Sequence, residues 1–356
     1  MVWLECALRL FYASSSFEDM RFANCIQVRN MVSAFASMGD VTLTIKEGPE
    51  WLDWPENVTV KRFKAKRGRL ENLCYSLWAF KEYGYGRHSF DYVYSRNPLF
   101  SLLGGTGKGK PIHGFEFHTF VEGSFYGIMQ KQIMNRTNIC VTINRALKDR
   151  LRQLAPEKER RIFVSHDAHA NRIVHQMRTG IDTPPRVGYF GSINDLKGER
   201  ILRELIHQGK GFKFYVYSAD LDRLKSHPNL VEYRYLPHYE VFTKMAEMDF
   251  LLLITEPSGT NRDITPYTSP LKLFEYMSVA GVVLASNMSA IREIIHHKRN
   301  GYLVDNSPSA WLQALETLTR DRSLYSRISA GAIETAANHT WESRARRIIN
   351  VMASTC

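Results

Sequence analysis

Short apolar runs alternate with longer amphipathic stretches, and this alternation restricts the fold more than any other feature of the chain. Residues 7–12 predict a strand, residues 24–38 predict a helix with one apolar face, and residues 41–45 predict a second strand after Gly39. The chain therefore begins with a βαβ pattern. Further strands are predicted in the second half at residues 186–191, 212–217, 231–236 and 249–254.

The length suits two domains. A chain of 356 residues accommodates two domains of roughly 100–200 residues each. Residues 179–186 contain one glycine and two prolines and predict a linker, so we place the domain boundary there. No apolar run approaches the roughly 18 residues needed to span a bilayer. Glu5 and Arg9 interrupt the first apolar stretch, which is atypical of a signal peptide.

Charge and cysteine content indicate a compartment and a class of partner. The formal net charge is +11, which favours an acidic partner or surface. The five cysteines are scattered, odd in number and without a Cys-x-x-Cys pair. This usage is typical of reduced, mostly buried thiols. We therefore expect a cytoplasmic protein, in contact with the inner face of a membrane if the acidic surface is a lipid one.

A strongly basic segment precedes an aromatic stretch. Its six cations are Lys61, Arg62, Lys64, Lys66, Arg67 and Arg69. One interpretation is a docking strip for anionic lipid head groups, with Trp78 or Tyr75 reaching the interface. The other is a solvated face beside a core helix. No nucleic-acid-binding motif accompanies the charge, so we expect no nucleic acid partner.

The stretch around residues 265–277 predicts a helix with a distinctive start. Ser269 is a good N-cap, and Pro270 suits the first helical position. Lys272 and Glu275 are three residues apart, so both project from one side of the helix. The remaining apolar residues have helical spacing and are expected to pack inward. They are Leu271, Leu273, Phe274 and Met277.

The position of Lys272 indicates a bound anion. In the first turn of a helix the macrodipole disfavours a cation by roughly 0.3–1 kcal/mol. A phosphate at that end would accept from the free backbone N–H groups and pair with Lys272. Glu275, one turn further on, could hold a neutral diol such as a ribose. On spacing alone, an ordinary amphipathic helix with a solvated lysine and glutamate is the favoured interpretation.

Four segments resemble the donor half of family 4 retaining glycosyltransferases and follow one another in the same order. They lie at residues 269–277, 280–286, 291–295 and 300–304. The resemblance implies an α/β protein of GT-B fold, with two Rossmann-like domains facing across a cleft. It implies an acceptor domain at residues 1–182, a nucleotide-sugar domain at 183–340 and a last helix at 341–356 that crosses back to the first domain. The implied activity is transfer of a sugar from a nucleotide-diphosphate sugar to a glycan, lipid-linked or other hydroxyl acceptor, with no cofactor or obligatory metal.

The same resemblance assigns donor contacts. Lys197 matches the lysine that reaches the donor diphosphate, and Glu275 matches the ribose-binding glutamate. The chain departs from the family pattern at Ser192, where an arginine is usual, and at Tyr267, where a glutamate is usual. The implied donor-binding residues are Gly191, Ser192, Lys197, Tyr235, Leu236, Ser269, Pro270, Leu271, Lys272 and Glu275, with the backbone of Tyr235 and Leu236 beside the base.

A Glu-x-His pair ends a predicted strand in the first half. Alternate residues of a strand point to one side, so Glu116 and His118 are expected to share a face. The pair resembles the family's acceptor-side motif, in which a histidine faces the cleft near the transferred sugar. The resemblance makes His118, Glu116 and Lys197 the catalytic candidates. A purely structural histidine is the alternative.

Two other functions fit parts of the sequence. Asp220 and Asp222 form an Asp-x-Asp pair, the metal motif of the GT-A class of glycosyltransferases. The replacements at Ser192 and Tyr267 leave room for a non-catalytic protein that binds a sugar nucleotide or a glycan. The nucleotide, whether UDP, GDP or ADP, is not specified by any motif.

Overall fold

The computed structural model describes residues 8–15, 23–46, 53–64, 68, 70–104, 111–170, 180–234, 236, 238–257 and 269–355. Its internal contacts divide the chain into two units. Unit 1 comprises Met1–His166 and Trp341–Cys356, and unit 2 comprises Asp167–Thr340. The boundary therefore lies earlier than the predicted linker, because the chain after His166 is held by unit 2: the His169 N–H donates to the carbonyl oxygen of His339 at 3.0 Å.

Unit 1 is built on a parallel sheet of seven strands, in the order β3-β2-β1-β4-β5-β6-β7. The strands are β1 (Leu8–Ala13), β2 (Gly39–Lys46), β3 (Val58–Phe63), β4 (Tyr92–Ser95), β5 (Ile112–Phe117), β6 (Ile139–Thr142) and β7 (Ile162–Val164). The predicted βαβ start is observed. The centre of the sheet is buried on both faces, as the apolar run of β1 requires.

In the described part of unit 1, five helices connect these strands. They are α1 (Ala23–Ala36), α2 (Glu71–Gly86), α3 (Pro98–Gly104), α4 (Ser124–Arg136) and α5 (Arg145–Leu154). The strand order changes direction after β3. Because parallel crossovers are right-handed, α1 and the series α2–α4 lie on opposite faces of the sheet. Helix α3 packs between α2 and α4.

Unit 2 contains a parallel sheet of six strands, in the order β10-β9-β8-β11-β12-β13. The strands are β8 (Arg186–Phe190), β9 (Lys213–Tyr217), β10 (Leu230–Tyr233), β11 (Phe250–Leu253), β12 (Val282–Ser286) and β13 (Tyr302–Val304). Its helices are α6 (Glu199–Gln208), α7 (His238–Ala246), α8 (Leu271–Ser278), α9 (Ser289–Arg292), α10 (Pro308–Arg320) and α11 (Arg322–Ala337). Two apolar clusters, one on each face, enclose the sheet.

The last helix, α12 (Trp341–Ala353), belongs to unit 1 and packs on α1 and β5. Its inward face carries Trp341, Ala345, Ile348 and Met352, as well as the fully buried Arg344. Within the described residues, none of the helices has both the length and the hydropathy that crossing a bilayer requires. The prediction of two parallel-sheet α/β domains is confirmed.

Candidate functional site

The loop after β8 begins with a glycine in a backbone conformation that few other residues adopt. Gly191 has φ of +137°, a region that favours glycine. Its N–H donates to the carbonyl oxygen of Tyr217 at 2.9 Å. The hydroxyl of buried Tyr189 lies 2.7 Å from the carbonyl oxygen of Ser192 and 3.1 Å from that of Lys197. Both ends of this loop are therefore tied to the end of the sheet.

Asp220 fixes the middle of the same loop. One of its carboxylate oxygens accepts from the Ile193 N–H at 3.1 Å. The Asn194 side chain accepts from the Lys197 N–H at 3.1 Å and caps the single turn Asp195–Lys197. Gly198 follows in the left-handed region, where an added Cβ would lie 2.0 Å from Cγ2 of Ile254. The side chain of Lys197 is thus carried by a backbone with little freedom.

Helix α8 starts one residue later than the sequence predicts. Pro270 is the N-cap, with φ of −80° and ψ of 97°. The assignment of Ser269 as N-cap is therefore wrong, because the extended ψ keeps the proline outside the helix. Among the described residues, no side chain caps the first turn of α8. Its first N–H groups remain available to an anion.

The packing of α8 is largely as predicted. Leu273, Phe274 and Met277 are fully buried, whereas Leu271 is only half-buried, contrary to the prediction. The hydroxyl of Tyr276, also fully buried, accepts from the Phe190 N–H at 3.2 Å. This bond joins α8 to the end of β8 and sets the helix beside the Gly191 loop.

Lys272 extends from α8 over Gly191. A Cβ built on Gly191 would lie 2.3 Å from Nζ of Lys272 and 2.7 Å from its Cε, so a larger residue would displace the end of this side chain. Burial lowers the pKa of Lys272; nearby Glu275 opposes the lowering and neighbouring Lys197 adds to it. Burial also lowers the pKa of Lys197. Lys272 therefore lies over Gly191, and Lys197 is close enough for its charge to act on Lys272.

The remaining donor-side predictions have mixed outcomes. Glu275 is half-buried on α8, close enough to Lys272 to influence its pKa. Ser192 is exposed on the loop. Leu236 is half-buried against the cluster beneath α7 and α8. Tyr235 and Tyr267 lie outside the described residues.

The Asp-x-Asp pair does not serve the function that the metal hypothesis gave it. Asp220 holds the Ile193 N–H, and exposed Asp222 lies 2.5 Å from Arg234. Within the described residues, no group of three or more metal-binding side chains forms a site. The GT-A hypothesis is wrong, because the two parallel sheets belong to a different architecture.

In unit 1, Glu116 and His118 come together as expected for alternate residues of a strand. Nε2 of His118 lies 2.5 Å from a carboxylate oxygen of Glu116. The Glu116 side chain is fully buried, whereas a quarter of the His118 side chain is exposed. Tyr94 and Gln27 also donate to the same carboxylate. Glu116 therefore lies behind His118 and orients it.

Arg344 completes this network from α12. Its guanidinium lies 3.2 Å from Glu116 and donates to the carbonyl oxygens of His166 at 2.9 Å and Ser165 at 3.1 Å. Burial alone would raise the pKa of Glu116, but the charges of Arg344 and His118 hold it well below its ordinary value. The carboxylate thus stays ionised, since a full cation faces it inside the unit.

Sequence reasoning missed the roles of three of these residues. Arg344 had a usable signal, since it is a lone cation on the apolar face of α12. Asp220 was noticed, but for a metal rather than for a backbone N–H. Tyr189 had no signal, because a tyrosine in a buried strand is ordinary. Their roles depend on neighbours that only the folded chain supplies.

Comparison with known proteins agrees with this architecture. Residues 195–350 match the model of the family described as Glycosyl transferase-like. No curated protein sequence matches the chain. HepE from Anabaena, solved in complex with UDP, is similar with a TM-score of 0.72 and 13% identity, over 98% of this chain and 100% of that one.

Two further solved structures are similar over nearly their whole length. Sucrose-phosphate synthase from Thermosynechococcus elongatus has a TM-score of 0.76 and 14% identity, over 98% of each chain. A glycosyltransferase from Rickettsia africae has a TM-score of 0.70 and 13% identity, again over 98% of each chain. At such identities the likeness establishes the fold. The chain therefore has the GT-B fold, and part of unit 2 is similar to the Glycosyl transferase-like family.

Proposed function

We propose that the protein is a retaining glycosyltransferase of family 4, which transfers a sugar from a nucleotide-diphosphate sugar to a hydroxyl group of a glycan, lipid-linked or other acceptor. The main support is Lys272, which extends over Gly191 from the uncapped start of α8 and is close enough to Lys197 to feel its charge. Two cations and free backbone N–H groups suit a diphosphate, whose negative charge grows as it leaves the sugar.

Each donor residue has a role in this proposal. Lys197 and Lys272 bind the diphosphate, and Glu275 accepts hydrogen bonds from the ribose. The base lies beside the backbone of Leu236. UDP is the first nucleotide to test, because similar HepE structures contain UDP or UDP-glucose.

The donor site works without a resident metal ion in this proposal. The two lysines and the N–H groups of α8 stabilise the leaving diphosphate, a task that a divalent cation performs in other enzymes. Full turnover in EDTA is the expected result. Loss of activity that manganese restores would contradict this part of the proposal.

His118 positions the acceptor sugar, and Glu116 positions the imidazole of His118. The glycosidic bond to the diphosphate breaks, and the anomeric carbon bonds to the acceptor oxygen on the same face. The departing phosphate oxygen takes the acceptor proton. His118→Ala should therefore keep donor affinity and lose transfer. Wild-type transfer by that variant would make His118 a structural residue.

The reaction takes place in the cytoplasm, in part at the inner face of a membrane. The basic segment from Lys61 to Arg69 supplies charge for such contact. Of its cations, Lys61 is paired with Glu82 at 2.7 Å. Arg62 is half-buried and Lys64 is exposed. Lys66, Arg67 and Arg69 lie outside the described residues.

Thermal shift with UDP-, GDP- and ADP-sugars tests the donor site. One nucleotide series should stabilise the wild type, and Lys272→Ala and Lys197→Ala should lose most of that shift. Lys210→Ala, an exposed lysine of unit 2, is the matched control. Equal shifts in all variants would refute the assignment of the site.

Product release separates the enzyme from a binding protein. An enzyme should release nucleoside diphosphate from the stabilising sugar nucleotide, slowly to water and faster with an acceptor. Lys197→Ala should lower this rate more than the affinity, because leaving-group charge is largest in the transition state. Tight binding with no release under any acceptor would favour the non-catalytic alternative.

A further inference from the structure

Large hydrophobic side chains are exposed on one part of the molecule. Among the described residues there are nine, and all belong to unit 1. We call these nine the apolar face: Leu70, Leu73, Leu77, Tyr85, Leu103, Val121, Phe125, Tyr126 and Ile128. Single exposed apolar residues are ordinary, whereas a concentration of them marks an interaction surface.

Helix α2 is apolar on both of its sides. Leu70, Leu73 and Leu77 follow helical spacing along its outer side and are 41–66% exposed. Tyr75 and Ala79 on its inner side are fully buried. A helix that is apolar all round normally has a second apolar neighbour. The outer side of α2 therefore needs a cover that the chain does not provide in its described part.

The aromatic residues that the sequence assigned to an interface lie elsewhere. Tyr75 is fully buried, and its hydroxyl donates to the carbonyl oxygen of Thr44 at 2.8 Å. Trp78 is half-buried, with its ring centre 5.4 Å from that of Phe63. That prediction is wrong for Tyr75, because its side chain points into the core. The leucines of α2 occupy the outward positions instead.

Helices α3 and α4 extend the same surface. Phe125 is 74% exposed and Ile128 is 64% exposed, and their spacing places them on one side of α4. The guanidinium of Arg136, at the end of α4, donates to the carbonyl oxygen of Leu102 in α3 at 2.8 Å. Since α3 packs on both α2 and α4, the three helices lie side by side.

The charge around the apolar face is positive. The described residues between 61 and 136 include eight lysines and arginines against five aspartates and glutamates. The acidic side chains near the face already have partners. These ion pairs are Glu71 with Lys46 at 3.2 Å, Glu82 with Lys61 at 2.7 Å and Glu122 with Arg150 at 2.7 Å. Lys81 and Arg136 remain exposed beside the apolar residues.

We propose that the apolar face is a membrane-binding surface, which inserts into the head-group region of an anionic bilayer. Apolar side chains surrounded by cations match both layers of such an interface: acyl chains below and negative head groups above. A second copy of this chain would bring like charges together, which opposes self-association. The inference concerns a surface outside the donor site, so it stands independently of the proposed transfer reaction.

Vesicle flotation tests the surface directly. The full chain should float with vesicles of phosphatidylcholine and phosphatidylglycerol and remain unbound with phosphatidylcholine alone. The variant Leu73→Ser/Leu77→Ser and the variant Phe125→Ser/Ile128→Ser should each weaken binding by roughly tenfold or more, since each removes two exposed apolar side chains. Gln132→Ser/Asn135→Ser, two exposed polar residues of α4, is the matched control. Equal flotation of all variants would overturn the proposal.

A probe on Cys74 distinguishes insertion from charge attraction alone. Cys74 is exposed on α2 beside Leu73, whereas Cys25 and Cys140 are buried. With Cys6 and Cys356 replaced by serine, an environment-sensitive fluorophore on Cys74 should shift to the blue when anionic vesicles are added. A fluorophore that stays in water while the protein floats would show that only the basic segment binds, and would refute insertion.

Two controls separate this inference from its rivals. Donor affinity, measured by calorimetry with UDP, should be unchanged in the apolar-face variants because the donor residues belong to unit 2. A failure of donor binding in the wild type would therefore leave the membrane result standing. Sedimentation equilibrium should show a monomer without lipid. A dimer that the same substitutions dissociate would assign the apolar face to a second copy and overturn the membrane proposal.

Discussion

Unit 1 and unit 2 each contain buried or half-buried cations, but the partners of these cations differ. Arg344 in unit 1 is fully buried and contacts a carboxylate and two carbonyl oxygens of its own unit. Lys197 and Lys272 in unit 2 are half-buried, and in the described part of the chain neither has a carboxylate at ion-pair distance. The fold therefore supplies a carboxylate partner for Arg344, whereas the described residues supply none for Lys197 or Lys272.

This difference separates a structural charge from a binding one. A buried ion pair with further hydrogen bonds fixes the packing of the elements that supply it, and removing one partner is costly. Neighbouring cations with lowered pKa values raise the energy of the unliganded protein and mark a functional site. We therefore assign Arg344 to the architecture of unit 1, whereas Lys197 and Lys272 fit the ligand-binding role that the proposed function gives them.

The largest expected effect is on the structural side. Arg344→Met should lower the free energy of unfolding by about 3–5 kcal/mol, because buried Glu116 would lose the fully buried cation that balances its charge. Urea denaturation followed by circular dichroism measures this loss. Arg346→Met, at an exposed position of the same helix, is the matched control.

A double variant makes this prediction specific. Glu116→Gln in the Arg344→Met background should recover part of the lost stability, since the buried charge that Arg344 balanced is then gone. No recovery, or a loss no larger than that of Arg346→Met, would show that Arg344 acts through packing alone. The comparison between the two units would then lose its basis.

Lys272→Ala should reduce ligand affinity without reducing stability, the reverse of what is expected for Arg344→Met. The affinity for the nucleoside diphosphate should fall by about 1.5–3 kcal/mol, the typical contribution of a hydrogen bond to a charged group. The free energy of unfolding should stay constant or rise, because a half-buried cation is removed. Calorimetry with UDP and urea denaturation measure the two quantities, with Lys210→Ala as control. A large loss of stability with unchanged affinity would place Lys272 in the same class as Arg344.

Gly191→Ala tests the space that Lys272 occupies. The new Cβ would lie 2.3 Å from Nζ of Lys272, and the flexible end of the lysine would have to move. With φ at +137°, the backbone strain adds about 1–3 kcal/mol. The UDP affinity of Gly191→Ala should fall toward that of Lys272→Ala. The double variant Gly191→Ala/Lys272→Ala should lose little more. Gly211→Ala, where an added Cβ meets nothing within 4 Å, is the control.

The smallest effect is a dependence of donor binding on pH. Because burial and mutual repulsion lower the pKa of Lys272 below 10.5, part of the site loses its charge as alkaline pH is approached. A bound diphosphate favours the protonated lysine, so binding at alkaline pH should take up protons and the affinity should fall as pH rises. Calorimetry in two buffers of different ionisation enthalpy measures the uptake. Proton release on binding would contradict the assignment.

Much of the local structure was predictable, for physical reasons. The strand runs and the helix from residue 24 follow hydrophobic periodicity, which depends on neighbouring residues only. The predicted start of α8 was one residue too early. The ψ of Pro270 depends on its surroundings in the folded chain, and no sequence signal determines it. The boundary of unit 2 was misplaced for a similar reason, since the contact between His169 and His339 joins residues far apart in the chain.

By itself, the sequence determined the order of strands and helices, the excess of basic residues and the presence of Lys272 and Glu275 on one side of a helix. The tertiary structure alone decided what each charge does. Lys272 reaches Gly191 only because Tyr276 joins α8 to β8, and Arg344 finds Glu116 only because α12 returns to unit 1. Pattern and spacing are local properties of a chain, whereas burial and the pairing of charges depend on residues hundreds of positions apart.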